Sequence, residues 1–511
     1  MALTVLGCTV GMSSARATES LEVDLPASLA KDASGRLLVF ARPATGHPRE
    51  VYSWELAPGA VSVAGRDVQT FGSQRKVVID LDAEAVPKPF SELAAGDYWV
   101  QAVLDPQGDY GRYGRGPGDL VSEVARIHLP LSPGAHVELG HVLPQEDVWN
   151  QPDVMPYERD GIARARPRLT DFRISSPLLS AFWGRPQDLQ AWVWLPPDYD
   201  PRGAKTWPVV YVCASFDGNY ADNLRMAGVI AEMNAAAPLP NMIWVLLDYS
   251  TLSGTTEFAD SVNNGPWEKA LLQELIPALE KRFRMDARTG GRFLLGHSSG
   301  GWASLWLQVG HPEVFDGAWA TAPDPVDFRD FMGVNLYEPG ANVYFDSHGG
   351  LRPSVRHNGT VTGTQRDSAH LEEVLGHLGG SFQSFDWVFS PRADDGRAAR
   401  MFDRVSGAVN PAVAAYWRDH YDISWRIAHL EPQARHNLAG KLHITVGDQD
   451  TFYLDGAVHE LQEVLQQNGV AADIHFLPGR DHNNLLGSGG DPVALLREFA
   501  RQMYATARPK S

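Results

Sequence analysis

Two runs, "WPVVYVCAS" (207–215) and "NMIWVLLDYS" (241–250), are almost wholly apolar, rich in β-branched residues and short. A strand apolar on both faces must be covered on both faces, which is the condition of a central strand in a parallel sheet between helices. The surrounding pattern agrees. "LQAWVWLPPDY" precedes them, and 266–285 carries Leu271, Leu272, Leu275, Ile276, Leu279 and Phe283 at the spacing of one helical face, with Pro277 placed to bend it. "RFLLGH", a helix over 299–309, "GAWATAP", "KLHITVGD", a helix over 456–467, "DIHFLPG" and a terminal helix follow. Strands alternating with helices predict an α/β fold built on a mostly parallel sheet.

The rhythm before residue 176 is different. Over 18–145, segments such as "RLLVFARP", "RKVVIDLD" and "DYWVQAVLD" alternate in period two between Gly, Pro and Asp, the pattern of a small β-sandwich-like domain. Residues 146–175, rich in proline and charge, read as a linker or strap. Two units suit a chain of 511 residues, longer than the ~250–300 at which one core stops growing. Between 324 and 440 the alternation is lost in a segment rich in Trp, Tyr, His, Arg and Gly. A structureless loop of that length is improbable, so a partly helical cap is expected, with Trp387, Trp417 and Trp425 as candidate pocket residues set against a packing role in the cap's own core.

Composition removes several functions. The net charge of −18, without a dense Lys/Arg block, would repel nucleic acid. No window past the N-terminus has the ~18–20 continuous apolar residues of a membrane span. Residues 1–17 join an apolar run to Ala15-Arg16-Ala17, the A-x-A form of a leader cleavage site, although no positive segment precedes it. A leader implies a periplasmic or extracellular protein; without one, a cytoplasmic location is expected. Cys8 would leave with it, so Cys213 would have no disulfide partner in the chain. No H-E-x-x-H occurs, and "HLEEVLGH" has the wrong spacing for a metal-binding helix pair, so no metal is expected.

"RFLLGHSSGGWASLWL" places Gly296-His297-Ser298-Ser299-Gly300 between an apolar strand and an apolar helix. Five residues of G-x-S-x-G recur by chance, but a strand before and a helix after are what a nucleophile elbow needs. Ser298 would project from the sheet, and the Ser299 amide at the helix N-terminus would face any charge developing on a substrate oxygen. A serine hydroxyl needs a base, and the base an orienting acid. "HITVGDQDTFYLDG" offers Asp450, with Asp448 as the fallback and Asp455 as a helix start, and "LPGRDHNN" offers His482 after the next strand. Asp481 adjoins His482 but points away from it in an extended segment. The loop after "VVYVC" should supply the second oxyanion amide, Phe216 first and Asp217 next.

"WPVVYVCASFDGN", "LLQELIPALEKRFRM", "RFLLGHSSGGWASLWL", "GDQDTF" and "GRDHNN" together resemble the putative-esterase branch of the α/β-hydrolases, which includes esterase D and the enterochelin esterases. The resemblance spans about 189–504, less the inserted block. It implies an α/β-hydrolase fold, ester hydrolysis without metal or organic cofactor, and a triad on Ser298, Asp450 and His482; it does not carry over a substrate, and the small-molecule or carbohydrate-linked ester expected here comes from composition and the leader-like N-terminus. This chain departs from it in carrying Ala214-Ser215 where many members have a His-Gly pair, and in the size of the insertion. An acyltransferase using the same triad and a catalytically silent binding protein are the competing expectations.

Overall fold

The computed structural model describes residues 18–29, 32–52, 61–110, 114–145, 147–151, 154–216 and 218–509. The segment 1–17 and Asp217 lie outside the described residues. Two compact units emerge: the described residues of 1–54, 59–107 and 118–143, and those of 108–117 and 144–511.

The first unit contains two sheets. Gly96–Asp105 lies at the middle of the larger, antiparallel to Gly35–Pro43, Leu120–Val121 and Ala125–Leu129. Ser20–Asp24 lies at the middle of the smaller, antiparallel to Lys76–Asp80 and parallel to His136–Glu138. Alternate residues point inward: Leu37, Val39 and Ala41 meet Val100, Ala102 and Leu104 from one sheet and Leu21, Val23, Val77 and Ile79 from the other. Lys76–Asp80 alternates buried and exposed residues, the mark of a strand with one face on a core, whereas Gly35–Pro43 also buries Leu38 and Phe40 on its other face.

An eight-stranded sheet organises the second unit. Its strands are β1 (Leu169–Ser175), β2 (Asp188–Trp194), β3 (Val209–Cys213), β4 (Ile243–Asp248), β5 (Arg292–His297), β6 (Ala318–Thr321), β7 (Leu442–Gly447) and β8 (Asp473–Leu477). They lie in the order β1-β2-β4-β3-β5-β6-β7-β8, antiparallel at the β1–β2 and β2–β4 pairs and parallel elsewhere. The unbroken apolar runs are accounted for by two cores. Val209, Tyr211 and Cys213 of β3 enter one, and Val210 and Val212 enter the other with Trp244, Leu246, Phe293 and Leu295. Around the sheet lie α1 (Asn223–Ala236), α2 (residues 267–282), α3 (Ser299–Gly310), α4 (Asp455–Gln467) and α5 (Ala494–Ala507). Within α2 the turn Leu271–Leu275 is π-helical. Pro277 lacks the N–H that would continue the α-pattern, and the wider turn absorbs that loss.

Two segments differ from the sequence reading. Residues 146–175 are no simple linker: Pro156–Ala165 is a helix and Leu169–Ser175 is β1, so a boundary at 176 would cut the sheet. As an edge strand with no fully buried residue, β1 carries too few apolar side chains to announce itself. The block 324–440 contains the helices Gln365–Leu375, Ser381–Phe389, Pro411–Tyr421, Ile423–Ala428 and Pro432–Leu438, and a hairpin of Pro353–His357 with Thr360–Thr364. It shares one continuous core with α3. Trp302 meets Phe389 at 4.9 Å between ring centroids, and Trp306 meets Tyr421 at 5.9 Å. Trp417 is fully buried and donates its indole N–H to Ser390 Oγ at 2.9 Å, while Trp425 reaches the surface beneath the Arg418 guanidinium. Trp387 is half-buried, its carbonyl accepting from Ser261 Oγ. These tryptophans serve the insertion's packing and surface.

Candidate functional site

Strand β5 ends at His297 and α3 begins at Ser299, so the whole reversal falls on Ser298, at φ 57° and ψ −125°. A non-glycine residue there is strained by its own Cβ and persists only where its surroundings hold it. The Ser298 amide donates to Thr321 O of β6 at 2.9 Å. Both flanking glycines are dictated by backbone approach. A Cβ on Gly296 would sit 1.9 Å from Gly300 O, and one on Gly300 would sit 2.2 Å from Cys213 O. Since backbone rather than flexible side chain stands in the way, Gly296→Ala should cost at least ~3 kcal/mol of stability, seen as a lowered Tm or loss of soluble protein.

The loop after β7 carries Asp450, and the loop after β8 carries His482. Asp450 Oδ2 lies 2.8 Å from His482 Nδ1, with the two side chains 0% and 6% exposed. Asp450 Oδ1 accepts from the amides of Phe452 (2.9 Å) and Leu454 (3.3 Å). Burial pushes this carboxyl's affinity for a proton up, but the His482 charge and hydrogen bond, with these amides, outweigh it and hold the group below the ordinary carboxylate range. The Phe452 ring stands edge-on to the imidazole at 4.8 Å. The other acids of these loops are engaged elsewhere. Asp448 accepts from Gly479 N, Asp455 opens α4 and pairs with Arg356, and Asp481 accepts from Asn483 N and Asn484 N.

A further carboxylate reaches the elbow. Asp324, after β6, accepts from Ser298 Oγ at 3.2 Å through Oδ1 and from Ser299 Oγ at 2.5 Å through Oδ2. The resting Ser298 hydroxyl thus donates to Asp324, and no hydrogen bond joins it to His482. Burial, only partly offset by the two serine hydroxyls and the His482 charge, pushes the Asp324 carboxyl up to about 6. The sequence reading missed this residue because it opens the stretch where periodicity ends. The available signal was positional: an acid two residues beyond "GAWATAP"'s alanine, at the end of the strand next to the elbow. His297 was missed too. Its ring lies 4.4 Å from that of His482, its Nδ1 is 2.9 Å from Thr321 Oγ1, and burial together with the His482 charge pushes it down to about 3, so it stays neutral.

Across from the elbow, the Gly218 amide donates to Ser215 O at 3.0 Å and closes a turn that carries Phe216. Tyr249 Oη donates to Ala214 O, and Ser215 Oγ donates to His297 O at 3.2 Å, tying this loop to the elbow. Ser299 is the first residue of α3, where amides have no acceptor within the helix. Cys213, at the end of β3, is buried, and burial pushes its thiol up to about 12, which leaves it protonated. A cavity of about 210 Å³ borders the elbow through Gly296 and His297 and is lined further by Ala214, Met226, Leu486 and Leu496. Among the described residues, no group of three or more His, Cys, Asp or Glu side chains is arranged to hold a metal, and no helix is long and apolar enough to cross a membrane.

The insertion holds the acid loop from the side. Arg356 donates through Nε to Asp450 O at 2.7 Å and through Nη2 to Asp455 Oδ1 at 3.1 Å, its guanidinium lies 4.4 Å from the Tyr453 ring, and its amide donates to Thr451 O at 2.9 Å. Arg356→Ala leaves the Asp450 carbonyl without that donor. The expected result is a loss of ~1.5–3 kcal/mol with a fall in kcat, read from thermal melts and steady-state rates.

The sequence profile of the family described as Putative esterase matches residues 185–485, more than half of the chain and the stretch holding Ser298, Asp450 and His482. The chain belongs to the putative esterase family. Its fold is α/β-hydrolase-like, and solved structures also match the chain. A ferulic acid esterase is 14% identical at a TM-score of 0.40, covering 66% of this chain and 99% of its own. The S-formylglutathione hydrolase of Agrobacterium tumefaciens is 15% identical at 0.38, covering 66% and 95%. FphF, a fluorophosphonate-binding serine hydrolase of Staphylococcus aureus, is 12% identical at 0.38, covering 66% and 98%. No curated protein matches the sequence.

Proposed function

We propose that this member of the putative esterase family is a serine carboxylic ester hydrolase acting through an acyl-enzyme on Ser298. The observation that carries the reading is the buried His482–Asp450 pair, 2.8 Å apart, in the same site as a serine held at φ 57° between a strand and a helix N-terminus. In this mechanism the Ser298 hydroxyl turns from Asp324 to His482 Nε2 and attacks the ester carbonyl as the imidazole takes its proton. Asp450 orients the ring and stabilises its cation. The amides of Phe216 and Ser299 receive the oxyanion, a contribution of roughly 100- to 1000-fold per donor in enzymes of this kind. His482 returns the proton to the leaving alcohol, and water then repeats the sequence to free the acid.

The cavity of about 210 Å³ beside Gly296 and His297, lined by Met226, Leu486 and Leu496 together with Asp222, Asn223 and Thr321, is the acyl site in this reading, and its size favours a short or planar group. A panel of p-nitrophenyl esters from acetate to octanoate, with a feruloyl ester, tests both parts. Turnover of the shorter or aromatic esters in preference to octanoate is the expected result. No turnover of any ester by folded protein would overturn the reading.

A further inference from the structure

Asp324 does more than a helix cap requires. One oxygen, through Ser299 Oγ, would serve the N-terminus of α3; the other accepts from the reacting atom itself, Ser298 Oγ. The pair is bridged again through the backbone, since the Asp324 amide donates to Ser298 O at 3.2 Å. The loop is held in strain to achieve this: Ala322 sits at φ 39°, its amide fixed on Thr445 O of β7 at 2.8 Å, and prolines flank Asp324 on both sides. The titratable groups that bear on the carboxyl are His482 and Asp450 from the two loops beyond β8 and β7, and Tyr249 from beyond β4. An acid so placed, beside a second acid, is costly unless the site uses it.

We propose that Asp324 is a second catalytic carboxyl: as a carboxylate it accepts the Ser298 hydroxyl in the resting enzyme, and acylation of Ser298, which removes that hydrogen, is coupled to uptake of one proton by Asp324. The inference rests on the proposed serine mechanism. In acylation the Ser298 Oγ–carbonyl bond forms and the ester C–O bond breaks, while the serine's own hydrogen passes through His482 to the departing alcohol. The ester oxygen left on Ser298 has no hydrogen to give, so a carboxylate facing it would set lone pairs against lone pairs in a buried site. A solvent proton on Asp324 turns that contact into an O–H···O bond. The buried carboxyl is already raised with the hydroxyl present, and losing that donor raises it further. Deacylation by water returns a hydrogen to Ser298 through His482, and Asp324 releases its proton.

An alkyl fluorophosphonate tests this on the whole protein, because its bond to Ser298 expels fluoride and one proton. In weakly buffered solution near neutral pH, the wild type should release well under one proton per labelled site, and Asp324→Asn should release close to one. One proton released per wild-type label overturns the proposal without recourse to a variant. Failure of the probe to attach to Ser298 in folded wild type overturns the serine mechanism itself, and this inference with it.

Discussion

On the proposed mechanism Ser298→Ala should lower ester hydrolysis by roughly 10⁵-fold, to the small residue that substrate binding and oxyanion donors alone provide. The expectation follows from position as much as from residue type. Ser298 is where the chain turns from β5 to α3, its amide is tied to β6, and its hydroxyl faces an Asp324 carboxyl in the same site as a buried imidazole. Removing one oxygen leaves those supports in place, and alanine keeps a Cβ at a position where φ 57° is already tolerated. The variant should therefore melt close to the wild type while its rate collapses. The check is a p-nitrophenyl ester assay beside a thermal melt. Equal rates in the two proteins would remove Ser298 from the chemistry.

Asp450→Asn is expected to lower kcat by about 10⁴-fold, the scale seen when the acid of such a triad loses its charge but keeps its shape. An amide at 2.8 Å from His482 Nδ1 can offer its N–H as readily as its oxygen, so the ring is no longer held with its proton on Nδ1, and no charge remains to stabilise the imidazolium. Asp448→Asn, whose carboxylate serves Gly479 N, should cost about 1 kcal/mol of stability and leave most of the rate. The pair of variants separates the two acids of one loop. Stability carries a second signature. Asp450 is held below its ordinary range in the folded chain, so its ionised form contributes stability at neutral pH, and this is lost as pH falls below about 4 towards the folded value. Asp450→Asn should flatten that acid limb in a series of melts.

The two expectations differ in how far they could be read from the chain alone. G-x-S-x-G between an apolar strand and an apolar helix is a local pattern, because the glycines answer to backbone clashes within a few residues and at the adjoining strand. Asp450 and His482 follow from their place after successive strands. That Asp450 rather than Asp448 meets the imidazole is decided by the turn closed from Asp450 N to Gly447 O and by the seating of Asp448 on Gly479. Neither leaves a mark in composition. The insertion shows the same divide: its aromatic richness indicates packing, but only the shared core with Trp302 and Trp306 shows where.

The sequence by itself determined the fold class, the strand-to-helix turn at Ser298 and the placing of an acid and a histidine after the two later strands, because each depends on hydrophobic period and on turn residues within short windows. Tertiary structure decided the rest. It made β1 part of the sheet, laid the insertion on α3, clamped the acid loop with Arg356, and brought Asp324 onto Ser298. Those contacts join residues 26 or more positions apart, or depend on which strands become neighbours, and such pairings are set by sheet register and core packing rather than by any local run of residues.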